Sequence, residues 1–223
     1  MRETRTLTTK LRTAFAVARK EGWSVMLRRY WPSFKFKITR FYCLKESLPS
    51  GIPSSLTVLP EGYEFSVFSR DDVMSISRLS ERDGYVDRQY VIDNFQRGDT
   101  CVGIKYKGEI AAFTWFSVDA TRTQLYSCKL TANEAFLYDM YVLESFRGKN
   151  LAPILRYKNY EALKTMGRDT FYSVTLISNA ASLRFKWKLK ARKVFFAWYI
   201  NFFGIWRQCV VLRRYSGNGI QES

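Results

Sequence analysis

The chain reads as a mixed α/β domain preceded by a basic helical arm. Three observations carry that reading. From about residue 57 onward, short stretches with strand alternation and stretches with helical periodicity follow one another without internal repeats. The segment "SLPSGIPSSL" at 47–56 has the composition of a linker and separates that succession from what precedes it. The charge is also unevenly placed within a net charge of +16. Twelve Lys/Arg stand against three acids from Arg2 to Glu46, nine against none from Arg184 to Tyr215, and the part between is close to neutral. We therefore expect a basic helical arm and strand over 1–56, the main domain over 57–215 and a polar tail over 216–223.

Each element has its own signal. Residues 6–30 read as a helix, with Leu7, Leu11, Phe15 and Ala18 at helical spacing; Gly22 weakens it and Pro32 ends it. "FKFKITRFYC" alternates apolar and basic residues, as a half-exposed strand does. "YEFSVFS" is a strand. "RDDVMSISRLSERDG" is a helix entered through Asp71 and Asp72, and "VDRQYVIDNFQRG" is a second helix ended by Gly98. "TCVGIKYKGEIAAFTWFSVD" is a hairpin turning at Lys107-Gly108. "EAFLYDMYVL" is a strand, 150–166 a helix, "TFYSVTLI" a strand and 179–190 a short helix. "KVFFAWYINFFGIWRQCVVLRRY" makes two strands turning near Gly204.

Composition removes several chemistries. The chain has no histidine, which excludes Ser-His-Asp and Cys-His catalysis and most zinc sites; no metal is expected. Cys43, Cys101, Cys128 and Cys209 are far apart and show no C-x-x-C spacing, so reduced thiols in a cytoplasmic protein are expected. No apolar run reaches the roughly 18 residues of a membrane span. Lys10, Arg12, Arg19 and Lys20 interrupt any signal-peptide core. The expected location is the cytoplasm, with attachment to a membrane surface as the alternative.

The informative stretch is "VLESFRGKNLAPIL", Val142 to Leu155. A strand leads in, a helix leads out, and Arg147-Gly148-Lys149-Asn150 joins them. A helix start carries unpaired backbone N–H groups and a partial positive charge. A glycine that admits close approach, together with basic side chains, turns that start into a phosphate cradle. It is not a P-loop, since G-x-x-x-x-G-K-[ST] is absent, and no G-x-G-x-x-G is present. A plain strand-to-helix turn is the competing reading.

The order of elements and this turn together resemble the GCN5-related N-acetyltransferase (GNAT) superfamily. In that family the pyrophosphate of acetyl-coenzyme A rests on a [QR]-x-x-G-x-[GA] turn between the fourth strand and the third helix. Arg147, Asn150 and Ala152 take the first, fourth and sixth places, and Gly148 fits the common R-G-x-G-x-[GA] form. Asn150 replaces the usual glycine; asparagine tolerates the left-handed backbone better than most residues. "SNAASLRFKWKLKAR" resembles the family's N-x-x-S-x-x-x-Y-x-K-x-G-F element. Asn179, Ser182 and Lys188 match it, Lys186 stands at the Tyr, and Lys190 and Ala191 stand at the Gly-Phe. The resemblance covers about residues 57–215. It implies a mostly antiparallel central sheet flanked by helices.

It also implies a site. Arg147, Gly148, Lys149, Asn150, Leu151 and Ala152 would hold the pyrophosphate, and Asn179 and Ser182 the pantetheine arm. Backbone N–H groups from Tyr141, Val142 and Leu143 would polarise the thioester carbonyl. The base would be Asp139, a carboxylate interrupting an apolar strand, or Glu134 at that strand's start. Lys186 would meet the departing thiolate in place of the family's tyrosine, if burial lowers its pKa; the competing reading is a solvated lysine. Tyr199 is a second candidate acid, against a core or pocket-wall tyrosine. The expected function is transfer of an acetyl or longer acyl group from a coenzyme A thioester to a small amine acceptor, by direct attack and without a covalent enzyme intermediate. An amino sugar or another anionic metabolite is the first acceptor to consider, because the basic flanks suit a charged partner. The alternatives are a long-chain N-acyltransferase served by an acyl-carrier protein, and a non-catalytic binding protein of the same fold. The arm either packs on the domain, lies on an anionic membrane or docks an acidic carrier protein. A second copy of the chain is a further candidate partner. Nucleic acid is not expected, since charge without a reading motif is all that argues for it.

Overall fold

A computed structural model describes residues 16–25, 36–47, 58–83, 88–121, 123, 125–202 and 206–215. Eight strands form one sheet: β1 (Phe36–Glu46), β2 (Tyr63–Val67), β3 (Thr100–Tyr106), β4 (Glu109–Ser117), β5 (Glu134–Val142), β6 (Thr170–Leu176), β7 (Arg192–Phe202) and β8 (Trp206–Arg214). The helices are α1 (Arg70–Asp83), α2 (Arg88–Gln96), α3 (Leu151–Thr165) and α4 (Ala180–Lys188). The order across the sheet is β2-β3-β4-β5-β6-β1-β7-β8. Only β5 and β6 pair in parallel; the other neighbours are antiparallel.

The local chemistry explains most boundaries. α1 begins at a capping box: the Ser69 N–H donates to Asp72 Oδ2 at 3.0 Å, and the Asp72 N–H donates back to Ser69 Oγ at 3.3 Å. The β3–β4 hairpin turns on Lys107 at φ 49° and Gly108 at φ 85°, two left-handed residues as a two-residue hairpin of matching twist requires. Gly103 in β3 has no alternative. A Cβ there would lie 2.1 Å from the Phe68 ring and 2.5 Å from the Ala112 carbonyl oxygen.

Helices cover both faces of the sheet. On one, Val73 and Ile76 of α1 and Val91 of α2 pack with Trp115, Phe136, Tyr138 and Tyr172. On the other, Tyr157, Tyr160 and Leu163 of α3 pack with Phe116, Ala135, Leu137 and Phe171. Alternation along β5 divides its side chains accordingly, Phe136 and Tyr138 to the first face, Ala135 and Leu137 to the second. Tyr160 stacks on Phe171 with ring centres 4.7 Å apart.

β1 departs from the expected division of the chain. It does not belong to a separate arm: it lies inside the sheet, bonded to β6 on one edge and to β7 on the other. The boundary drawn after residue 56 therefore falls between strands of a single sheet. The physical reason is the pattern of β1 itself. Phe41 and Cys43 are buried in the core of the α1/α2 face, so this strand is covered rather than half-exposed along its C-terminal half. Of the helix expected over 6–30, residues 16–21 and 23–25 are helical, interrupted by Gly22 at φ 91°. Ala18 is buried there and Trp23 is 60 % exposed. The remaining positions of that helix, the linker at 47–56 apart from Ser47, the turn at Gly204 and the tail lie outside the described residues. Among the described residues no helix is long and apolar enough to cross a membrane.

Candidate active site

β5 and β6 hydrogen-bond only over Glu134–Phe136 opposite Thr170–Tyr172. Beyond that point they part, and the wedge between them is a cleft. A bulge in the neighbouring pair helps to open it. The β4–β5 register shifts between Phe113 and Trp115, and Asp139 takes φ 47°. The buried Thr114 hydroxyl donates to the Tyr138 carbonyl at the bulge, 3.1 Å away. The cleft encloses about 470 Å³ between residues 137–140 of β5, 173–175 of β6, the first half of α3 and one face of α4.

The glycine turn leads into α3, whose Ala152 lines the cleft. Gly148 sits at φ 79° and Asn150, the N-cap of α3, at φ 58° and ψ 22°, the left-handed backbone expected of it. Among the described residues nothing accepts a hydrogen bond from the N–H groups of Gly148, Lys149, Asn150, Leu151 or Ala152. Pro153 has no N–H to offer. No atom lies within 4 Å of where a Gly148 Cβ would stand, so the space over the turn is open. Arg147 folds back over the end of β5, its Nε 3.3 Å from the Val142 carbonyl and its Nη2 donating to the Tyr141 hydroxyl at 3.2 Å. The Lys149 ammonium lies 5.1 Å from the centre of the Phe146 ring. The result is a set of N–H donors at a helix start, rimmed by two cations, an arrangement whose chemistry suits an anion.

Asp139 occupies the α1/α2 side of the wedge. Simple alternation would aim it at α3. The bulge and its left-handed backbone, which costs a non-glycine residue about 1–2 kcal/mol, turn it instead toward α2. There it accepts a hydrogen bond from the Tyr90 hydroxyl at 2.8 Å. Burial raises the Asp139 carboxyl above the usual carboxylate range, against the lowering effect of the Tyr90 bond.

A second charged cluster lies on the α3/α4 side. Lys186 of α4 is 3 % exposed, so it is not a solvated lysine of a basic helix. Its Nζ lies 2.5 Å from Glu46 Oε1. Glu46, at the end of β1, is fully enclosed and also accepts from the Tyr160 and Ser173 hydroxyls. Arg156 Nε stands 3.8 Å from Glu46 Oε2. Burial alone would raise the Glu46 carboxyl, but Lys186 and Arg156 together outweigh it and hold it well below the carboxylate range. Burial first, and then the Arg156 guanidinium, push the Lys186 ammonium down to about 8 against the pull of Glu46.

The structure thus brings Asp139, Lys186, Asn179, Ser182 and Ala152 to one cleft. Asn179 caps α4, its Oδ1 accepting from the Ser182 N–H at 3.0 Å. Tyr141 and Val142 lie at the end of β5, under Arg147. Three expected residues are not where their roles need them. Glu134 sits five positions before Asp139, at the closed end of the wedge, and its carboxylate accepts from the Thr131 N–H at 2.9 Å; it supports a turn. The Leu143 N–H donates to the Ala111 carbonyl at 3.0 Å, on the β4 side, so it cannot also serve a thioester. Tyr199 is a core residue of the α1/α2 face, with Phe41 and Val194. None of the four cysteines forms a disulfide, and burial raises the thiols of Cys43, Cys101 and Cys128 away from the reactive thiolate form.

Sequence reasoning missed Glu46, Arg156, Tyr160, Ser173 and Tyr90. Arg156 carried one usable signal: it is a charge inside an otherwise buried stretch of helix, next to Leu155 and Tyr157. Glu46 carried none, being 140 residues from Lys186 along the chain.

The fold is thus an α/β sheet whose two parallel strands part into a wedge, with an open helix start beside it. A family model, that of the Acetyltransferase (GNAT) family, matches residues 69–188, more than half of the chain, and the chain belongs to that family. Its fold is similar to several solved structures. A GCN5-related glucosamine N-acetyltransferase region of a fungal multi-domain β-N-acetylglucosaminidase is 12 % identical, with a TM-score of 0.54 over 84 % of this chain and 22 % of that one. A GCN5-related N-acetyltransferase from Sphaerobacter thermophilus is 13 % identical, with a TM-score of 0.53 over 82 % of this chain and 57 % of that one. A tandem GNAT protein from the clavulanic acid biosynthesis pathway is 15 % identical, with a TM-score of 0.51 over 86 % and 68 % respectively. No curated protein matches the chain by sequence.

Proposed function

We propose that the chain is an N-acyltransferase that moves an acyl group from a coenzyme A thioester to a small amine. The observation that carries this reading is the cleft itself. One wedge has free N–H donors at its mouth and two titratable groups of opposite kind, Asp139 and Lys186, on its two sides. Coenzyme A is a co-substrate here. Its pyrophosphate would rest on Arg147–Ala152, and its pantetheine arm would run along β5 past Asn179 and Ser182.

The chemistry follows from those positions. An amine is a nucleophile only as the free base. Asp139, whose raised pKa makes it a stronger base than a surface carboxylate, takes the proton from the substrate ammonium, directly or through one water. The amine nitrogen then attacks the thioester carbonyl carbon. The Val142 N–H is the remaining candidate to stabilise the developing oxyanion, since the Tyr141 N–H, opposite Phe113 and two residues before Leu143, faces β4 as the Leu143 N–H does. The nitrogen of the tetrahedral intermediate gives up its second proton to solvent, and on collapse the C–S bond breaks and the sulfur leaves with the electron pair. Lys186, with an ammonium made more acidic by burial and by Arg156, delivers a proton to that thiolate.

A binding-only reading has one observation in its favour: the Lys186 ammonium is held by Glu46. Turnover separates the two. With acetyl-CoA and a panel of amino sugars, amino acids and polyamines, an acyltransferase releases free thiol only when an acceptor is present. Tight coenzyme A binding with no acceptor-dependent thiol release across the panel would leave the binding protein as the better account. The basic flanks support an anionic acceptor, and the charged α3/α4 wall argues against a long apolar acyl chain lying along it.

A further inference from the structure

The charges on the α3/α4 wall do not balance. Arg156 is 2 % exposed, and its Nε and Nη1 are buried without a hydrogen-bond partner. The one carboxylate beside it, Glu46, is 3.8 Å away and already holds Lys186, Ser173 and Tyr160. Two enclosed cations therefore share one anion. An enclosed cation with unmet donors is costly, and the cost falls when an anion reaches it. The other carboxylate on the cleft, Asp139, answers to Tyr90 on the α2 side. Arg156 lines the cleft, so an anion carried in by a ligand can reach it.

The position of Arg156 narrows what that anion belongs to. It stands four residues beyond Ala152 along α3, about 6 Å deeper than the turn that suits the phosphates. Its guanidinium shares Glu46 with Lys186, the group placed at the departing sulfur, so it stands at the acyl end of the uncharged pantetheine arm. Asn179 and Ser182, on the same side as Arg156, belong to the expected path of that arm, whereas the base that would serve the acceptor lies across the wedge.

We propose that Arg156, supported by Lys186, binds the free carboxylate of the acyl group, so that the preferred donor is a coenzyme A monothioester of a short dicarboxylic acid. This rests on the acyl-CoA reading of the cleft. The test compares succinyl-CoA with butyryl-CoA, four carbons each, by calorimetry on the full chain without an acceptor. Wild type is expected to bind succinyl-CoA at least tenfold more tightly. In Arg156→Met, with folding checked by thermal melting, that ratio should fall to within about threefold. Equal affinities in wild type would overturn the carboxylate subsite while leaving the acyl-CoA reading intact, since both esters bind. A preference that survives in Arg156→Met would overturn the role of Arg156. Failure of either ester to bind would remove the cleft assignment and the subsite with it. A preference shown only among carboxylated acceptors would also overturn the proposal, by placing the anion on the other substrate. The wild-type ratio decides even where the variant does not fold.

Discussion

Glu46→Gln is the most informative single change in this molecule. The side chain is fully enclosed, and among the described residues its charge is the one that opposes both Lys186 and Arg156. The amide keeps the shape, so packing is nearly unchanged, but its one oxygen can accept from only one of Tyr160 and Ser173, which donate to different oxygens of Glu46; the other hydroxyl must turn to accept from the NH2 group. What is lost is the anion, and two buried cations are left facing each other. Breaking a buried ion pair from one side costs about 3–5 kcal/mol. For a chain of this size each kcal/mol lowers the melting temperature by about 2–4 °C, so the expected drop is roughly 6–20 °C. Denaturant unfolding and melting measure it. Adding Arg156→Met to Glu46→Gln should return part of the loss, since one cation fewer is stranded, and the coupling between two sites in such contact is about 0.5–3 kcal/mol. The pH dependence has a definite sign. Lys186 is lowered in the folded state from 10.5 to about 8, so between those values the unfolded chain binds the extra proton and stability rises with pH. Glu46 is lowered too, so its contribution is present above the unfolded carboxylate pKa of about 4.3 and fades as pH falls toward 2. A Glu46→Gln protein within about 1 kcal/mol of wild type, with an unchanged acid limb, would refute this account of the cluster.

Other outcomes follow from the same geometry. Asp139→Asn should lower acceptor-dependent thiol release by about a hundredfold or more with coenzyme affinity nearly unchanged; rates within threefold would return Asp139 to a structural role. Tyr90→Phe removes the hydrogen bond that lowers Asp139, so the rising limb of kcat/KM against pH should move to higher pH; a fixed limb means Asp139 is not the group titrating. Gly148→Asp puts a carboxylate and a Cβ into the open space over the turn at φ 79°. Acetyl-CoA affinity should fall at least tenfold, about 1.4 kcal/mol, and an unchanged dissociation constant would disprove the cradle. Trp23, 60 % exposed next to basic residues of the N-terminal helix, gives the expectation of salt-sensitive co-sedimentation with anionic vesicles; a chain that stays in solution at low salt has no membrane role there.

Much of the fold was legible because its signals are local. The Lys107-Gly108 turn, the helix entry at Asp71 and Asp72 and the left-handed Asn150 each announce themselves within a few residues. Asp139 was legible for a related reason: a carboxylate in an apolar strand needs a special destination. Its direction was not, because the bulge that turns it depends on the register with β4, a neighbour that the strand's own sequence does not encode. Lys186 looked like one more lysine in a basic helix; only its partner, 140 residues away, makes it an enclosed ion. The same distance hid Glu46.

The position of β1 also sets a timetable. It leaves the ribosome early, yet both strands that flank it come from the far half of the chain, β6 from Thr170 and β7 from Arg192. At roughly 5–20 residues per second, synthesis of the intervening segment takes on the order of ten seconds. During that interval an apolar-lined strand has two open edges and no native neighbour. Such a strand is a template for pairing with other chains, so nascent chains should depend on chaperone shielding, and expression in its absence should favour inclusion bodies. Trimming the gene to residues 69–188 would not help, because it deletes β1, β2, β7 and β8 and leaves β3 and β6 with exposed edges.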